Sequence, residues 1–140
     1  MSQKPKTITA RSIDKLLKFL PIFEQKGYEF SKWHFPKTSE NGTTYFPFCE
    51  YSREVNDFVQ ILCEERFIVF FNWSSWRYGK KFYKEPELLK KAEIETLQKL
   101  LTAHIRQERF CEGHLACVLK EGHITAILQR LKEIRKKMKD

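Results

Sequence analysis

Glycine is scarce in this chain. Its five glycines, at positions 27, 42, 79, 113 and 122 of 140 residues, lie too far apart to make a loop that cradles phosphate. Neither a Walker-type turn nor a Gly-x-Gly-x-x-Gly turn can be built from them, which excludes the common nucleotide-hydrolase and dinucleotide-binding classes. The sequence also lacks a Gly-x-Ser-x-Gly elbow and a His-Glu-x-x-His helix, so the usual serine-hydrolase and zinc-protease frames are absent. Long apolar runs are missing too. Phe67–Phe71, Phe-Ile-Val-Phe-Phe, is among the longest, far short of the roughly 18–20 residues that span a bilayer. Met1–Arg11 is polar and basic with no apolar centre, so neither a secretory signal nor a membrane partner is expected and a cytoplasmic location is. Cysteine is sparse. Cys49, Cys63, Cys111 and Cys117 are expected as free thiols, because disulfides need an oxidising compartment.

What is present is a supply of rings and cations. Twelve Phe, five Tyr and three Trp, in a composition 41% hydrophobic, are enough for one real core. The net charge is +8. Residues 1–11 carry +3 of it and residues 130–140 carry +4, which leaves the body nearly neutral. A flexible basic arm over 1–11 and a single globular domain over 12–140 follow from this distribution. Basic ends commonly serve as solubilising tails, yet they also permit phosphate contacts.

The periodicity predicts a mainly α fold, a compact bundle of about five helices with room for one small β-hairpin in residues 28–51. Ser12 is placed to cap a first helix carrying Ile13, Leu16, Leu17, Leu20 and Phe23, interrupted or kinked at Pro21 and ended at Gly27. Asn41-Gly42 favours a tight turn, with Phe30–Phe35 and Thr43–Phe48 as flanking strands. Ser52 is placed to cap a second helix with Val55, Phe58, Val59 and Leu62 on its apolar face. Phe67–Phe71 reads as a buried strand or a buried extended link, and a polar loop is expected from Gly79 to Pro86. Ile94, Leu97, Leu100, Leu101 and Ile105 mark a third helix, Phe110–Gly113 a joint, and Leu115, Val118 and Leu119 a short helix stopped by Gly122. The clearest stripe is Ile124, Ile127, Leu128, Leu131, Ile134 and Met138. It fits a homodimer seam and packing within a monomer equally well.

The densest polar cluster runs from Arg106 to His114. If one helix passes through it, Arg106, Arg109 and Glu112 share a face, and two guanidiniums can hold a carboxylate or phosphate. Glu112 then serves as a base or neutralises the arginines, and an internal Arg–Glu network is the structural alternative. Cys111, His114 and Cys117, with His104 or His123, invite a zinc reading. Their spacing spreads over a helix surface and the second ligand pair is missing, so no metal is expected. A Cys111 nucleophile with His114 or His104 would need hydrogen-bond reach and a third orienting group, and no recognised cysteine-enzyme signature surrounds either residue. Trp73, Trp76 and Tyr78 among Arg77, Lys80 and Lys81 suit base stacking, a protein-binding hot spot or a core edge.

Three stretches together carry a resemblance: Tyr51–Phe58, Phe71–Trp76, and Arg106–Leu115 continuing through Gly122–Leu131. Over about Ile13 to Ile134 the chain resembles a family of small prokaryotic proteins known only as a domain of unknown function. The resemblance implies a prokaryotic or phage-borne cytoplasmic protein and brings no assigned chemistry. It also implies an Asp where this chain has Asn72, so no carboxylate role is carried to that position. The functional expectation is a non-enzymatic binding module that contacts a protein or acidic partner through Trp73, Trp76, Arg106, Arg109, Glu112 and His114, without a cofactor. The alternatives are nucleic-acid binding through the basic termini, and an enzyme for an anionic small molecule in which Arg106 and Arg109 hold the anion and Glu112 or His114 moves the proton.

Overall fold

The computed structural model describes residues 8–35, 42 and 46–138. Among them stand seven α-helices and one two-stranded antiparallel sheet, so the fold is mainly α. The helices are α1 (Ala10–Leu17), α2 (Leu20–Phe23), α3 (Arg53–Glu64), α4 (Gly79–Lys84), α5 (Ile94–Gln107), α6 (His114–Lys120) and α7 (His123–Lys136). Two 3-10 turns, Trp73–Ser75 and Pro86–Lys91, lie between α3 and α5. The count exceeds five because α2 and α4 are too short to show a full apolar period.

Residues ahead of Ser12 already pack into the core. Ile8 is buried, and Thr9 rather than Ser12 caps α1, accepting the Ser12 N–H at 3.1 Å. Ser12 sits inside the helix and its hydroxyl donates to Glu65. Of the expected basic arm, residues 1–7 lie outside the described residues. Pro21 stands in the first turn of α2, where its missing N–H costs nothing. Ser52 caps α3 as expected, accepting from the Val55 N–H. That helix ends with Arg66 in the left-handed region, φ +64°, and the Phe67 N–H bonded back to Leu62. This is the closing geometry that glycine usually supplies.

The hairpin pairs β1 (Ser31–His34) with β2 (Phe48–Tyr51), Ser31 opposite Tyr51 and His34 opposite Phe48. The first strand falls within the expected flank. The second begins at the last residue of its expected flank, Thr43–Phe48, and runs on to Tyr51. Gly42 has a φ of +82°, while Asn41 and residues 43–45 lie outside the described residues.

Helix α7 is the spine. Its Ile124, Ile127, Leu128 and Leu131 are buried, and it meets α1, α2, α5, α6 and the Pro86–Lys91 turn. Its apolar stripe is therefore covered within the chain. The segment 67–71 is an extended link buried only at its start. Phe67 is fully enclosed, whereas Phe70 is 106% exposed. Thr102 of α5 holds this link, accepting from the Val69 N–H at 2.9 Å and donating to its own helix at Gln98. The polar loop expected from Gly79 to Pro86 is instead α4, which buries Phe82.

Candidate functional site

The helix expected to run from Arg106 through Glu112 stops at Gln107, and the chain turns through residues 108–113 before α6 begins. Gly113, φ +93°, enters α6 without a side-chain cap. Glu108 supplies one from outside. One carboxylate oxygen accepts the Gly113 N–H at 2.9 Å, and the other accepts the Leu115 N–H at 2.9 Å and the Tyr51 hydroxyl at 2.5 Å. The Tyr51 oxygen in turn accepts the Ala116 N–H at 3.1 Å. Three N–H groups that a helix start leaves unpaired are thus satisfied. Burial, then the bond to Glu108, pushes the Tyr51 phenol well above its ordinary range. Trp33 of β1 packs on Gly113, where an added Cβ would lie 2.7 Å from its ring.

Glu112 belongs to this same joint. Its carboxylate accepts the Cys49 N–H at 2.9 Å, binding β2 to the turn. It does not neutralise the arginines. Arg106 is half-buried and Arg109 exposed, and neither forms an ion pair or side-chain hydrogen bond among the described residues. The internal Arg–Glu network is therefore not formed.

Two clefts open beside the joint and meet at Trp73 and Ser74. The first, about 690 Å³, brings Arg106 and Arg109 together with Phe70, Phe71, Trp73 and Phe110. The Trp73 and Phe110 rings lie 5.8 Å apart, and Phe110 is 78% exposed. Among the described residues no carboxylate lines this groove.

The second cleft, about 600 Å³, is walled by Trp73, Trp76 and Tyr83 and floored by histidines. Gly79 lets Trp76 take its place there, since a Cβ at that position would lie 2.7 Å from the indole. His104 Nδ1 and His114 Nε2 are 3.0 Å apart and share a hydrogen bond. His123 stands edge-on to His104 at 5.0 Å, with Tyr83 on its other side at 5.0 Å. Burial lowers all three imidazoles, His104 to about 3 and His123 to about 4. At neutral pH His104 and His123 carry no charge. The Nε2 atoms of His104 and His123 are buried without a partner among the described residues.

The residues expected from the sequence thus divide four ways. Trp73 touches both clefts, Trp76 and His114 line the histidine cleft, Arg106 and Arg109 line the groove, and Glu112 lines neither. The anion-plus-proton constellation expected of an enzyme does not converge on one pocket. Cys111 and Cys117 are exposed, and among the described residues no group of three or more His, Cys, Asp or Glu is gathered for a metal ion. The joint residues Tyr51 and Glu108, and the ring of Tyr83, were not expected. Glu108 and the amides it caps are five and seven residues apart, a spacing without periodic signature.

Fold and clefts together define a small, mainly helical protein, and no helix of the described residues is long and apolar enough to cross a membrane. The chain belongs to DUF6508, a family of unknown function, which it matches over residues 8–137. No curated protein and no solved structure matches it.

Proposed function

We propose that the chain is a non-enzymatic binding module whose arginine groove receives an acidic, ring-bearing or aliphatic segment of a partner protein. The observation that carries this reading is the groove lining. Two guanidiniums that form no ion pair among the described residues stand beside exposed rings, and no described carboxylate lines the groove. Arginine and aromatic side chains dominate binding hot spots, and an apolar patch with a polar rim marks an interaction surface. Phe70 and Phe110 offer the apolar anchor, and Arg106 and Arg109 fix its acidic neighbours by charge-assisted bonds.

A protein partner fits better than nucleic acid. The basic groups of α7 do not make a free stripe. Arg135 bonds Asp14 at 2.8 Å, Lys136 pairs with Glu133 at 3.1 Å, and Arg130 donates to the Ala92 carbonyl. An electrostatic footprint for nucleic acid would need such groups unspent on one face.

A fluorescence-polarisation screen tests the reading, using synthetic peptides rich in Asp and Glu with interspersed Phe or Leu, their basic counterparts, and a single-stranded oligonucleotide. Acidic peptides are expected to bind, and Arg106→Ala with Arg109→Ala to weaken them at least about tenfold, or about 1.4 kcal/mol. Equal binding by the double variant, or preference for the oligonucleotide through the same arginines, refutes it.

A further inference from the structure

We propose that the histidine cleft is a separate small-molecule site, shaped for a planar nitrogen heterocycle that carries an anionic group, the chemistry of a mononucleotide. Its volume of about 600 Å³ falls within the roughly 300–1,000 Å³ of small-molecule sites. Trp73, Trp76 and Tyr83 present ring faces and edges on its walls, the surfaces on which heterocycles stack.

The floor supplies the specific feature. His123 is only 8% exposed and lines the cleft, yet its Nε2 has no partner among the described residues, and His104 Nε2 is in the same position. Buried polar atoms are nearly always bonded, so two orphans on one cleft point to groups that a ligand brings. A neutral imidazole nitrogen acts as donor or acceptor according to tautomer, and a heterocycle edge offers both. Because burial keeps the floor uncharged, the ligand's anion has no counter-ion inside. The cations belong to the wall of α4 instead. Lys80 and Lys84, one helical turn apart, both line the cleft, are exposed, and form no ion pair among the described residues. The ring therefore enters and the anion stays beside the lysines.

The test is isothermal titration of the full chain with AMP, GMP, CMP and UMP. Adenosine serves as a ring-only probe and inorganic phosphate as a charge-only probe. At least one mononucleotide is expected to bind with a Kd below about 1 mM, at least tenfold more tightly than either part-probe. Lys80→Ala with Lys84→Ala is expected to weaken it at least tenfold, and both positions are exposed, so folding is not at stake. His123→Phe, confirmed as folded by circular dichroism, is expected to weaken it as well. Arg106→Ala with Arg109→Ala is expected to leave it unchanged, which separates this site from the peptide groove. Absence of saturable binding by all four mononucleotides overturns the proposal. So does phosphate binding as tightly as any of them, or loss of binding in the arginine variant rather than the lysine one.

Discussion

Acidification from pH 7 to pH 5 is expected to destabilise this protein through His104 and His123. Burial holds these rings at about 3 and about 4, against an ordinary value of 6.5. In the unfolded chain both take up a proton near pH 6.5. Between pH 6.5 and about 4 the unfolded chain binds more protons than the folded one, so stability falls as pH falls. At pH 5 the unfolded state has gained about 2 kcal/mol from each ring relative to pH 7, while the folded state has gained almost nothing. Both rings together amount to about 4 kcal/mol, a large share of the roughly 5–15 kcal/mol that holds a domain folded. His114 is lowered by the same cause and acts in the same direction. Glu54 and Glu65, held below the usual carboxylate range by hydrogen bonds, lose their contribution only at lower pH. Urea titrations at pH 7, 6 and 5, at constant ionic strength, measure the effect as a falling midpoint with unchanged slope. His123→Phe keeps an aromatic ring beside Tyr83 and removes one titrating group, so its midpoint is expected to fall about half as steeply. A midpoint that stays level to pH 5, or a variant that falls as steeply as the parent, refutes the reasoning.

Two further outcomes concern the frame around the clefts. Glu108→Ala strips the acceptor from two backbone N–H groups and the Tyr51 hydroxyl and is expected to cost about 2–3 kcal/mol; an unchanged melting temperature would show that the joint does not depend on this carboxylate. Arg66→Gly removes the strain of a non-glycine residue at φ +64° and is expected to stabilise the fold by up to about 1 kcal/mol in chemical denaturation, whereas a loss would mean that the arginine side chain contributes more than its backbone costs.

The helices were legible wherever an apolar period ran three turns or more. The stripes of α3, α5 and α7 show such a period, and the structure buries them. The uniform composition of the 67–71 link reads as burial throughout, whereas the structure encloses Phe67 and exposes Phe70, with Thr102 bonded to the backbone between them. Lys80, Lys81 and Lys84 mask the single buried Phe82 of α4, so its sequence reads as loop. At the site, residue chemistry was legible and geometry was not. Trp73, Arg106 and Arg109 do share a groove, but the supposed helical alignment of Arg106, Arg109 and Glu112 fails where the chain breaks after Gln107. The histidine cleft gathers residues from α5, α6 and α7, and no spacing within one element announces it.

The Tyr51–Glu108 contact joins positions 57 residues apart in sequence. Closing so long a loop carries an entropic cost that these bonds must offset. Once made, one carboxylate and one phenol hold the amides of Gly113, Leu115 and Ala116 together, while Glu112 of the same turn holds that of Cys49. A fluctuation that frees the hairpin must also release the start of α6, which makes the two segments one unit of opening even though they belong to different parts of the chain.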